Sequence, residues 1–224
     1  MRAPPHKGVA PCRFLKRKGF ALSPDLPPEP SFGTAIPVTP VPEALHFLAR
    51  RRSTPAVTLE EPAPSPAQLE DLLRIAARAP DHGKLAPWRF ILLEGIDKAA
   101  FADRLADLAQ SRGDSTQVAK LAKLRRPPLA IVVVSRLVPG AIPEWEQVLS
   151  AGAVATNLLN ATLAMGYGAN WITDWYSYDA AALSALGLAD NERVAAFMMI
   201  GTPGEPPLER ERPAVETLVT RWKA

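Results

Sequence analysis

Two short basic segments lie far apart in this chain, Arg51-Arg52-Ser53 and Arg210-Glu211-Arg212. Guanidinium forks beside a hydroxyl suit the oxygens of a phosphate, which arginine grips through paired, charge-assisted hydrogen bonds. On loops, the same residues would equally serve as solvated charge. Between them, Ala79-Pro80-Asp81-His82-Gly83-Lys84-Leu85-Ala86-Pro87-Trp88-Arg89-Phe90 gathers a carboxylate, an imidazole and an ammonium within four residues, in a loop bounded by prolines that leads into a strand. Such a loop could offer polar edges to a ligand, or Asp81 could simply cap while His82 bonds to backbone. A third segment, Gly166-Tyr167-Gly168-Ala169-Asn170-Trp171-Ile172-Thr173, sets glycines where a helix would end and an aromatic in the strand that follows. It reads as a ligand wall or as a helix stop with a core tryptophan. The sequence has no GxGxxG, Walker loop, CxxC, HExxH or GxSxG, and His6, His46 and His82 alone cannot assemble a histidine-rich metal site. Hydrolytic and metal chemistry are therefore disfavoured, and what remains suits a planar anionic ligand.

The elements that must hold these segments are legible from period and caps. A helix is predicted over Pro42 to Arg51, with Leu45, Phe47 and Leu48 to one side. Ser65, Pro66 and Gln68 spell a capping box for a second helix, which carries Leu69, Leu72, Leu73 and Ala76 and stops at Ala79-Pro80. Strands are predicted at Arg89 to Glu94, Leu129 to Ser135 and Val194 to Ile200, with a helix from about Asp97 and an amphipathic stretch from Ser115 to Arg125. This alternation implies layers, with strands buried by helices. From Gln147 to Thr173, 27 residues pass without a formal charge. Ser150, Gly152, Thr156, Asn157, Asn160 and Thr162 make this too polar for a membrane span. An uncharged helix in water must be buried all round, so a second copy of the chain is the expected cover for whatever its own domain leaves bare.

Composition bounds the rest. The chain has 224 residues, 47% of them hydrophobic and 22% charged, which is enough for one folded domain and excludes wholesale disorder. Ten of its 24 prolines fall within the first 42 residues, and residues 1 to 40 carry a net charge of +4 while the remainder sits near −1. Residues 1–41 are therefore read as a disordered, proline-rich basic arm without packed apolar groups, and 42–224 as the folded domain. The basic pI belongs to that arm, so a nucleic-acid partner is not expected. The single Cys12 fits a reducing, cytoplasmic setting.

Taken in order, RRS, APDHGKLAPWRF, the Asn157-Leu158 pair, GYGANW, and GTP (Gly201 to Pro203) followed by RER resemble the nitroreductase family, above all its small bacterial members with an APDH loop. The resemblance spans about residues 44 to 222 and none of the arm. It implies an α+β three-layer sandwich, a mixed sheet flanked by helices, in a homodimer that holds two FMN molecules at its interface. The implied activity carries electrons from NAD(P)H to a nitroaromatic, quinone or enone by a ping-pong route. Position by position, it implies that Arg51, Arg52, Ser53, Arg210 and Arg212 hold the phosphate. His82, Lys84 and Ala86 in the loop to Pro87 would approach the flavin from one subunit, and Trp171, Ile172 and Thr173 would line its ring. Two departures stand out. Lys84 and Ala86 occupy positions where many members carry Asn and Gln, so the pyrimidine edge falls to Lys84 or to backbone, and Pro55 stands where some relatives use a basic residue. A flavin-binding carrier or sensor dimer without turnover is the alternative reading, and reductive dehalogenation or flavin breakdown on the same fold is a third.

Overall fold

The computed structural model describes residues 26–224. In chain order the elements are α1 (Pro42–Arg50), β1 (Leu59–Glu60), α2 (Pro66–Ala76), β2 (Trp88–Glu94), α3 (Gly95–Ser111), α4 (Ser115–Lys120), α5 (Ala122–Arg125), β3 (Leu129–Arg136), α6 (Glu144–Ala164), β4 (Gly168–Ile172), α7 (Ala180–Ala185) and β5 (Glu192–Pro203). The capping box forms as predicted: Ser65 Oγ accepts from the Gln68 N–H at 3.3 Å, and Gln68 Oε1 accepts from the Ser65 N–H at 2.9 Å. The Tyr167 hydroxyl donates to the same Gln68 oxygen at 2.8 Å, tying α2 to the entry of β4.

β3 is central, paired with β2 on one side and β5 on the other, and only its last residue is exposed. Because side chains alternate across a strand, β3 divides the core in two. Ala130, Val132 and Val134 meet Phe101, Leu105, Leu124, Phe197 and Tyr176 on the side of α3, α5 and α7. Leu129, Ile131 and Val133 meet Leu72, Val154, Ala155, Leu158 and Met198 on the side of α2 and α6. The outcome is the expected three-layer sandwich. Its sheet differs from expectation in one respect, because every strand pair among the described residues is antiparallel and mixed pairing is not found within the chain. The predicted amphipathic stretch 115–125 is two short helices that turn at Leu121, which lets both Leu121 and Leu124 reach the core.

One expectation changes. The arm is not free of packed groups: Leu26 is half-buried against the α2/α6 core, and the Pro27 carbonyl accepts from Arg74 Nη1 at 3.0 Å. Residues 27–41 are exposed and carry a single turn before α1, while the part of the arm from 1 to 25 lies outside the described residues. Helix α6 is not buried all round by its own chain. Ala151, Val154, Ala155, Leu158 and Thr162 face inward, whereas Trp145 (69% exposed), Val148 and Leu149 (53%) face out, and a Cβ added at Gly152 would meet nothing within 4 Å. No helix among the described residues is long and apolar enough to cross a membrane.

Removing the cap of α2 should cost about 1 kcal/mol. Ser65→Ala should therefore lower the thermal midpoint by a few degrees while Ser65→Asp keeps it, as differential scanning calorimetry would record.

Candidate functional site

Helix α1 ends by delivering Arg51, whose N–H still donates to the Phe47 carbonyl at 2.8 Å while its own ψ of 140° carries the chain out of the helix. The guanidinium turns back: Nη2 donates to Ser53 Oγ at 3.3 Å, and Nε is buried with no hydrogen-bond partner. The carboxy-terminal segment then returns to the same place. Arg52 Nε donates to the Leu208 carbonyl at 2.9 Å and lies 3.5 Å from Glu209 Oε1, which also accepts from Arg212 Nη2 at 3.1 Å. Burial first, then repulsion from Arg212 and Arg52, draws the Arg51 pKa below its ordinary value, and Glu209 offsets only part of that. Three guanidiniums face one carboxylate, with a buried N–H left unpaired, in a cradle of donors of the kind that suits an anion's oxygens. Arg210 is different. Its backbone N–H donates to Glu209 Oε1 at 2.8 Å, but its side chain makes no hydrogen bond or ion pair among the described residues.

The cradle is fastened to β4. The Thr54 N–H donates to the Ala169 carbonyl at 2.9 Å, and Asn170 Nδ2 donates to the Thr54 carbonyl at 2.7 Å. Contact is close enough that a Cβ at Gly168 would sit 2.5 Å from Leu59 and 3.0 Å from Thr54 Oγ1. Sequence reasoning missed Glu209, Thr54 and Asn170, because each acts on a segment distant in the chain. Trp171 and Ile172 at the end of β4, and Thr173 just after it, do not share one side, because side chains alternate along an extended chain. Trp171 is partly exposed, with Nε1 donating to the Ala195 carbonyl at 3.2 Å, and Thr173 is exposed, but Ile172 packs on the opposite side into the α3/α7 core. Ile172 therefore offers backbone, not a side-chain wall.

The segment between the two basic ones forms a hydrogen-bonded loop. Lys84 and Ala86 hold positive φ values of 56° and 45°, sustained by Asp81, whose carboxylate accepts from the Leu85 N–H at 3.2 Å and the Ala86 N–H at 2.8 Å. Arg136 closes the other side, its Nη2 donating to the Ala86 carbonyl at 3.3 Å and its N–H to the Pro87 carbonyl at 2.8 Å. Asp81 thus takes the structural role open to it in the sequence, whereas His82 bonds a side chain instead of backbone. Its Nδ1 lies 2.6 Å from Glu146 Oε2, in the first turn of α6, and the imidazole is 62% exposed. Trp88 Nε1 donates to Ser150 Oγ at 3.2 Å, and Ser150 Oγ donates to the Pro80 carbonyl at 2.7 Å, which locks the loop onto α6.

The cradle and the loop occupy opposite corners of the sheet. Ala169, beside the cradle, is in register with Ile200 of β5, whereas Trp88, after the loop, reaches Arg193 of β5 through Ser135 of β3. Seven residues along the strands and three strands across put them roughly 25 Å apart. The arginine cradle and the His82 loop of one copy therefore do not meet.

The nitroreductase family model matches residues 48–202, from the end of α1 to β5. The chain belongs to the nitroreductase family. It is 34% identical over 164 residues to the Escherichia coli (strain K12) protein named "Putative NAD(P)H nitroreductase YdjA", a match covering 72% of this chain and 88% of that one. A Haemophilus influenzae protein described as an NAD(P)H nitroreductase in the same terms is 35% identical over 179 residues, 78% of this chain and 96% of its own. Among solved structures, a nitroreductase-like family protein from Bacillus cereus superposes with a TM-score of 0.73 at 20% identity, covering 85% of this chain and all of its own. A nitroreductase-type protein of Desulfovibrio desulfuricans, crystallised with FMN, gives 0.65 at 24% identity over 82% of this chain and 98% of its own. The two solved structures share the sandwich described above.

Because Arg51 is held against burial and like charge, its loss should not weaken the ligand-free fold. Arg51→Met should leave the melting temperature of flavin-free protein unchanged or higher. A fall of several degrees would mean that the cradle is structural.

Proposed function

We propose that this nitroreductase-family protein is an NAD(P)H-dependent FMN oxidoreductase acting on a small organic acceptor of the nitroaromatic, quinone or enone type. The observation that carries the reading is the buried, unpartnered Arg51 Nε amid Arg52, Arg212 and Ser53, a donor set matched to a ribityl phosphate. FMN, when bound, supplies hydride transfer between nicotinamide and acceptor. The protein's share is positioning. Arg51, Arg52, Arg212 and Ser53 hold the phosphate, with Arg210 free to join them. Trp171 and Thr173 give β4 a partly exposed face for the ring, with Ile172 contributing backbone. The 82–86 loop, with His82 oriented by Glu146, meets the ring's polar edge through backbone, with the Lys84 ammonium beside it. Relatives named NAD(P)H nitroreductases and neighbours crystallised with FMN support the donor and the cofactor of this reading.

The same geometry supports a homodimer. Corners roughly 25 Å apart by strand register cannot serve one FMN within one copy, so the loop is read as reaching the cradle of a second copy. The outward face of α6, with Trp145, Val148, Leu149 and the open surface at Gly152, is the proposed contact. Exposed apolar residues on the carboxy-terminal segment, among them Leu208, Val215, Leu218 and Trp222, extend it.

Purified protein should show the absorption bands of oxidised flavin, and those bands should bleach on mixing with NADH or NADPH. A bound flavin that only photoreduces would favour the carrier or sensor reading. Arg51→Ala should weaken FMN about thirtyfold in a fluorescence titration, as expected when one partner of a buried charge-assisted pair is removed. Leu149→Glu should give a folded chain that sediments as a monomer and binds FMN poorly, whereas Ala155→Glu, buried inside the chain, should fail to fold. With one face over the flavin shared by nicotinamide and acceptor, double-reciprocal plots should be parallel. Intersecting lines would refute the shared face.

A further inference from the structure

The arm is outside the matched residues 48–202, yet it does not stray from the candidate site. It is pinned upstream by Leu26 on the α2/α6 core and by the Arg74–Pro27 hydrogen bond, and downstream by α1. Between these anchors it makes one turn, in which the Thr34 N–H donates to the Ser31 carbonyl at 3.1 Å and Gly33 takes the φ of +84° that such a turn requires. The turn lifts the Phe32 side chain into solvent, 98% exposed. It does so beside the loop, because Lys84 Nζ lies 5.2 Å from the centre of the Phe32 ring. Lys84 makes no hydrogen bond or ion pair among the described residues, so this ring is the ammonium's one recorded contact.

A single exposed aromatic is ordinary. Here, however, a ring with a free face stands beside an uncompensated cation, on the loop assigned to the flavin's polar edge. An aromatic face stacks on planar rings, and an ammonium draws negatively polarised oxygens. We propose that Phe32 and Lys84 form a clip for planar aromatic acceptors bearing anionic or strongly polarised oxygens, so that the arm helps to determine acceptor specificity. This rests on the oxidoreductase reading above. The clip selects the acceptor by binding it, and it transfers no atom or electron.

The test uses the full chain loaded with FMN, kept oxidised and without nicotinamide so that nothing turns over, and 4-nitrobenzoate as the probe in isothermal titration. Phe32→Ala should weaken binding about tenfold, the order expected for losing one aromatic stacking partner, and Phe32→Tyr should restore it. FMN content and melting temperature should match the parent in both variants, because the ring is exposed. In steady-state assays, Phe32→Ala should raise KM for 1,4-naphthoquinone by a similar factor while KM for the nicotinamide stays put. Unchanged binding of 4-nitrobenzoate in Phe32→Ala, or equal losses in Phe32→Ala and Phe32→Tyr, would overturn the clip while leaving the functional reading intact. A parent protein that takes up no FMN would overturn the functional reading, and the clip with it.

Discussion

Like charge brought together under burial is the constraint on which this molecule turns. Arg51, Arg52 and Arg212 repel one another, and Arg51 carries in addition the cost of partial desolvation and an unpaired Nε. One carboxylate, Glu209, cannot balance three guanidiniums. Surface ion pairs of this kind contribute little on their own, so the arrangement is not there for stability. On the reading proposed above, it is half of an interaction whose other half is the FMN phosphate. The chain spends structure to keep it: the helix end of α1, the Thr54–Ala169 and Asn170–Thr54 hydrogen bonds, and the fit at Gly168 all hold the arginines against their mutual repulsion.

That fastening explains the sheet's division of labour. β5 is long because it must pair with β3, β4 and β1 in turn, and so it joins the cradle's corner to the loop's corner. At the far end Glu192, nearly buried, accepts from Arg89 Nε at 2.6 Å and Nη2 at 2.7 Å, which holds its carboxyl below the ordinary range and welds β2 to the start of β5. A rigid sheet with a functional group at each of two opposite corners is of little use alone. Two such sheets, related by a two-fold axis across α6, would bring unlike corners together twice.

Much of this was legible in the sequence wherever the signal was local. The capping box at Ser65, the buried run of β3 and the ordered series of motifs needed only neighbouring residues, and each survives in the fold. What escaped depends on contacts between distant segments. The family resemblance groups Ile172 with Trp171 and Thr173, yet strand alternation sends it into the opposite layer. Ala155, in the uncharged helix, would have been a natural choice for probing an interface, but α6 turns it inward and leaves Leu149 outside. Leu26 was hidden by the prolines around it, since composition reports what a segment cannot form and not what it can lean on. Glu209 could have been suspected from its place beside two arginines. Its bridge to Arg52, 157 positions away, could not.

The loop's departures from the family pattern have a conformational side that composition does not reveal. Asparagine is among the L-residues that enter the left-handed region most readily, and lysine and alanine are not. A family Asn at position 84 would hold the φ of 56° at little cost, whereas Lys84 and Ala86 each carry about 1 kcal/mol or more of strain. Asp81 and Arg136 offset that strain with four hydrogen bonds around the loop. The loop so held presents the side chain of residue 84, a cation beside an aromatic ring that lies outside the matched residues 48–202. The strained loop and the anchored arm are therefore two parts of one local arrangement, each unexplained without the other.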